Sequence, residues 1–126
     1  MIESGLYQYL VSALTGVGGR VYPGPLPSKP QLPAVTFSRS ETEDSLTFDE
    51  GQTDFVGAHF HIDCWGADFD AATSLYADLH AALKNFRGYL GGAFVHGVFR
   101  QAMGDFFEYD VPGYRRSATY LIWHRE

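Results

Sequence analysis

Apolar residues along this chain follow two periods. Leu6, Leu10 and Leu14 recur every four residues with Tyr9 and Ala13 beside them, which predicts an amphipathic helix over roughly Ile2–Leu14. Gly16-Val17-Gly18-Gly19 then ends it, because glycine is weak inside helices and favoured just past their C-termini. A second stripe, Ala72, Leu75, Leu79, Ala82, Leu83 and Phe86, predicts a helix that starts at an Asp68 cap and stops before Gly88, Gly91 and Gly92. Elsewhere the period falls to two. Ala34–Ser40 alternates, and Phe55–Trp65 places Val56, Ala58, Phe60, Ile62 and Cys64 on one face. Phe94–Met103 and Tyr114–Trp123 read as two further strands. Arg20-Val21-Tyr22 is a short extended piece.

Two segments interrupt these elements. Residues 23–33 hold five of the six prolines, and each fixes φ and removes a backbone donor, so the stretch is a stiff connector. Residues 41–54 are polar and acidic and predict a long, solvated hairpin loop between the strands at 34–40 and 55–65. The order helix, strand pair, helix, strand pair predicts an α+β fold. The expected form is an antiparallel sheet of about four strands, with two helices packed on one face and the acidic hairpin loop projecting. At 126 residues the chain is expected to form a single domain, 1–126, large enough for a core without metal or disulfide staples.

Charge and composition narrow the function. Nine basic residues against fifteen acidic ones give −6, and six of the acids (Glu41, Glu43, Asp44, Asp49, Glu50, Asp54) lie in the one hairpin segment. That balance argues against a general phosphate-binding surface, which needs clustered Lys and Arg. No apolar run approaches the roughly 18 residues of a membrane helix, and the N-terminus predicts no secretory signal. The lone Cys64 predicts no internal disulfide. Aromatic residues make up 16% of the chain and fall on both faces of the strands, Phe55, Trp65, Tyr114, Tyr120 and Trp123 among them. An isolated domain with helices on one side does not need both faces apolar, whereas an assembled one does.

Candidate chemistry is sparse. His59, His61 and Asp63 alternate on a strand and so share a face, the pattern of a small metal site. Same-face neighbours on a strand stand nearly 7 Å apart, however, so the favoured reading is a polar strand face cross-paired with Arg115 or Thr119. Cys64 is expected on the apolar face, where a buried thiol is inert. There is no Gly-x-Ser-x-Gly elbow and no phosphate loop, and the 41–54 carboxylates read as a solvated face. No catalytic residue, metal site or cofactor is expected. Arg115 and Arg116 point to opposite faces: one is expected to pair with an acid such as Asp63 or Asp110, and the other to be available to a neighbouring subunit.

Three stretches carry a family resemblance. Arg20-Val21-Tyr22-Pro23-Gly24 with Leu26-Pro27 and then Leu32-Pro33-Ala34-Val35-Thr36-Phe37 resembles the opening of the tail-completion (tail-terminator) proteins of long-tailed bacteriophages and gene transfer agents. Phe60-His61-Ile62-Asp63-Cys64-Trp65-Gly66, followed by Ala71-Ala72, is similar to that family's central strand and helix. Tyr114-Arg115-Arg116-Ser117 through Ile122-Trp123-His124 is similar to its closing strand. The succession spans nearly the whole chain. It implies a non-enzymatic virion protein at the head-proximal end of the tail tube, put together in the host cytoplasm. The implied assembly is a ring, expected to be a hexamer, that ends tube polymerisation. The implied partners are other copies of itself, the tail tube protein and the head–tail connector or stopper protein, with DNA passing through the lumen without sequence-specific binding. The alternatives are a head-side connector or stopper protein of the same particle and, ranked below it, a small metal-binding enzyme using His59, His61 and Asp63. The expected interaction residues are the six acids of the hairpin, which would order against tube or connector subunits, together with Arg115, Arg116 and Trp123.

Overall fold

The computed structural model describes residues 2–27, 30–47, 51–84, 86–108 and 113–125, and of 41–47, 51–55 and 107–108 it describes the backbone. Helix α1 covers Ile2–Ala13, and a 3-10 turn at Thr15–Val17 ends on Gly18 in the left-handed region (φ 56°), a conformation that favours glycine. Strands β1 (Val21–Pro23), β2 (Ala34–Thr47) and β3 (Gly51–Gly66) precede helix α2 (Phe69–Leu83). Strands β4 (Gly88–Leu90), β5 (Ala93–Glu108) and β6 (Gly113–Arg125) complete the chain. Asp68 caps α2 as expected, its carboxylate accepting from the Ala71 amide at 2.8 Å.

The sheet differs from the one predicted. It has six strands in the order β1-β2-β3-β6-β5-β4, curls into a half-barrel and is mixed, because β1 runs parallel to β2 while the other pairs are antiparallel. The expectation of about four antiparallel strands fails at both edges. Strands β1 and β4 have three residues each, too few to display an alternation. The proline connector allows the parallel pairing: the Arg20 Nε donates to the Pro33 carbonyl at 2.9 Å, and the Val35 amide donates back to the Arg20 carbonyl. The projecting loop is also corrected, since residues 41–47 and 51–54 are strand, and the β2–β3 pairing continues, through one irregularity, to Thr47 opposite Gly51. Asp49 and Glu50 lie outside the described residues.

The two helices do pack on one face. Leu6, Leu10 and Leu14 from the α1 segment meet Leu75, Leu79 and Leu83 of α2 over Phe60, Ile62, Tyr120 and Ile122, all buried. Alternation on β3 and β6 dictates this: Ala118, Tyr120, Ile122 and His124 are each about 1% exposed or less. At Gly5 and Gly66 the helices approach so closely that a Cβ would stand 2.1 Å from the Gly91 amide nitrogen and 2.4 Å from that of Ala72, respectively.

Candidate interaction surface

No helix covers the opposite face of the sheet among the described residues, yet several of its side chains are buried by one another. Asp63 lies at the centre. Its carboxylate accepts from the Ser117 hydroxyl, lies 3.1 Å from the His61 Nε2 and 3.5 Å from the Arg115 guanidinium. His61 also contacts the Thr119 hydroxyl at 3.4 Å, and the Trp65 indole donates to Thr36 Oγ1 at 3.0 Å. The Arg115 guanidinium lies between two rings, 4.7 Å from the Phe106 centroid and 5.5 Å from that of Trp65. Ser117 and Arg115 on β6 thus hold the Asp63 carboxylate on β3, a cross-strand link that stiffens the sheet.

Rings border this cluster at both ends of the face, Phe99 and Trp123 towards the β2–β3 hairpin and Phe106 at the opposite end, in register with Arg115. Residues i and i+2 of a strand share a face, so an aromatic two positions after a glycine can fold over it. A Cβ on Gly97 would meet the Phe99 ring at 3.1 Å, and one on Gly104 would meet that of Phe106 at 3.4 Å. The Trp123 ring similarly stands 3.0 Å from where a Gly57 Cβ would be. Phe99 and Phe106 stay 57% and 50% exposed, which is unusual for phenylalanine in a region of regular strand. His96, Gly97, Phe99 and Trp123 line a shallow groove of about 360 Å³. A larger groove of about 540 Å³ runs between the outer side of α1 and β1–β2, lined by Tyr7, Tyr22, Pro23 and Phe37 among others.

The residues singled out from sequence scatter across this frame. Arg115 and Trp123 share the uncovered face but sit eight positions apart on β6. Arg116 points to the helix side, where it binds Asp105 in a two-pronged contact at 2.6 and 3.0 Å and lies over the Phe69 and Tyr76 rings. The expected pairing with Asp63 thus falls to Arg115, Arg116 takes Asp105, and Asp110 lies outside the described residues. Glu41, Glu43 and Asp44 fall on paired strand backbone, opposite His59, Gly57 and Val56, and Asp54 lies within β3. His59 is 5% exposed, whereas the His61 side chain is 41% exposed. Among the described residues no group of three His, Cys, Asp or Glu side chains is placed to hold a metal ion. Cys64 is buried on the helix side, and that burial raises its thiol pKa, with the Asp63 charge adding to it. Phe99 and Phe106 escaped the sequence reading; the repeated Gly-x-Phe of Gly97–Phe99 and Gly104–Phe106 is the signal that carried them.

A small α+β domain with one face sealed by helices and the other paved with rings and paired charges is built to meet other proteins. Its sequence matches the family described as tail completion protein gp17 over residues 7–125, and the chain belongs to that family. It is therefore a structural protein of the virion tail. Among solved structures, a chain of the "Virion of native gene transfer agent (GTA) particle" shares the fold with a TM-score of 0.77 at 17% identity, over 96% of this chain and 92% of that one. No curated protein matches.

Proposed function

We propose that copies of this protein form a ring, expected to be a hexamer, at the head-proximal end of the tail tube. The ring ends tube polymerisation and presents a surface to the connector or stopper on the head, with DNA running through its lumen. The observation that carries this reading is family membership across nearly the whole chain, and the aromatic sheet face accords with it. Head-to-tail contacts between unlike patches close into a ring when the rotation permits. The acids at 41–54 carry charge that repels phosphates, which suits a protein beside a DNA path it must not grip. They act through protein contacts, as does Trp123; Arg115 and Arg116 are both engaged within the chain, with Asp63 and Asp105.

Deleting residues 43–52 tests the reading. The shortened protein is expected to fold, as judged by circular dichroism, and to leave heads and tails unjoined in electron micrographs of the particles. Normal infectious particles from the deletion would overturn the role given to the hairpin. Wild-type protein that binds filled heads and ignores tail tubes would shift the assignment to the head-side connector.

A further inference from the structure

Removing residues 41–54 on paper leaves nine acids against nine bases, so this one segment carries the entire −6 of the chain. It also has a distinct backbone setting. Strand β6 stops pairing with β3 at Phe55–Arg125, and β1 accompanies β2 only along Val35–Phe37. From Asp54 outward, β2 and β3 therefore continue as a two-stranded ribbon with no third strand beside it among the described residues. A two-stranded ribbon is marginal in water and gains stability by laying a face against something else. The ribbon's sequence offers Leu46 and Phe48 among its acids.

A complementary surface exists at the outer edge of the uncovered face. The Phe94 ring is contacted by Tyr89 at 5.0 Å and His96 at 4.9 Å, and the Arg87 guanidinium lies 5.9 Å from its centroid. Arg125 is the register partner of Phe94 and is exposed. Next to them lies the groove floored by Gly97 and walled by Phe99 and Trp123. Among the described side chains neither Arg87 nor Arg125 has a carboxylate partner, so the Arg87 guanidinium over the Phe94 ring and the exposed Arg125 in register with it bring two positive charges to the end of an apolar groove. That is the chemistry that receives an acidic extended segment with apolar side chains: charge steers it and the rings bury its apolar part.

We infer that the occupant of this surface is the 41–54 ribbon of a second copy of the chain. The contact is heterologous, ribbon to groove, and each copy offers both halves, so it propagates head to tail and closes where geometry allows. The inference rests on the ring reading and names the contact that holds neighbouring copies together. It gives the ribbon a sister copy as its partner in place of tube or connector subunits.

Charge exchange between two full-length variants tests it. One variant carries Glu43→Lys, Asp44→Lys, Asp49→Lys and Glu50→Lys, which turn the ribbon from −6 to +2; the other carries Arg87→Glu and Arg125→Glu at the groove. Alone, each variant faces like charge with like charge and is expected to raise the concentration for half-assembly at least about tenfold. Mixed in equal amounts, they restore opposite charge at every contact and are expected to assemble as an alternating ring. The readouts are mass in solution and, on purified tail tubes, particle images of the tube end. Circular dichroism and melting temperature confirm that each variant is folded. Folded variants that assemble alone as wild type does, or a mixture that fails to assemble, overturn the inference while leaving the ring intact. Wild-type protein that forms no ring in solution or on tubes overturns both.

Discussion

The two faces of the sheet obey different rules although they are made by alternate residues of the same strands. On the helix side the large apolar groups are closed over: Phe60, Ile62, Tyr120 and Ile122 are at most 1% exposed. On the other side Phe99 and Phe106 keep half or more of their surface in water, and the centre is a bonded polar cluster around Asp63. The helix side holds the buried core of the chain; the other side keeps rings exposed, which the proposed assembly would cover. Adjacent residues Arg115 and Arg116 show the division within two positions, one lying between Trp65 and Phe106, the other locked to Asp105 beside α2.

The largest effect that separates the faces is loss of an aromatic ring. Phe60→Ala removes a wholly buried side chain and is expected to cost about 3–5 kcal/mol in urea unfolding. Phe106→Ala removes a half-exposed ring whose main contact is the Arg115 guanidinium, so a loss of about 1 kcal/mol or less is expected. Equal losses would show that the second face is as structural as the first.

Glycines give a finer comparison. Gly5 lies at the end of the first turn of α1, where alanine ordinarily gains up to about 1 kcal/mol. A Cβ there would press on the Leu90–Gly91 backbone, which has no way to yield without moving α1 off the sheet. Gly5→Ala is therefore expected to destabilise by about 1–3 kcal/mol, opposite in sign to helix propensity. At Gly57 the neighbours are the far ends of the Leu121 and Trp123 side chains, which can shift where backbone cannot, and Gly57→Ala is expected to cost less than about 1 kcal/mol. Urea midpoints for the pair decide it, and a stabilised Gly5→Ala protein would remove the close approach of α1 from the argument.

What the sequence made legible follows from the same contrast. Both helices, the four long strands and the buried set on β3 and β6 are set by periodicity, and periodicity records burial against helices. Strands β1 and β4 were hidden because three residues contain no period, and the parallel pairing of β1 depends on a proline connector whose path no local pattern reveals. The acidic stretch at 41–47 reads as loop because Glu, Asp and Ser are poor strand formers; pairing to β3 overrides that preference. Arg115 with Asp63 was open to inference from alternation, whereas Asp105 as the partner of Arg116 depends on the register between β5 and β6, which shifts at two irregularities.

The smallest predicted effect lies in that last pair, and it distinguishes a fixed contact from a decorative one. Hydrogen bonding from Arg116 holds the Asp105 carboxyl below its ordinary pKa, outweighing the slight opposing effect of burial. A carboxyl whose pKa is depressed by folding stabilises the folded chain above its unfolded value, near 4, and loses that contribution as pH falls through the folded value. The Asp105 side chain is 45% exposed, so solvent screening limits the contribution to about 0.5 kcal/mol or less. Asp105→Asn is accordingly expected to be slightly less stable than wild type at pH 7, with the gap closing towards pH 2 as the wild-type carboxyl takes up its proton. Unfolding curves for both proteins at the two pH values measure it. A gap that persists unchanged in acid would mean that the contact depends on shape and on stacking over Phe69 and Tyr76, and that the charge of Asp105 contributes nothing to holding Arg116 on the helix side.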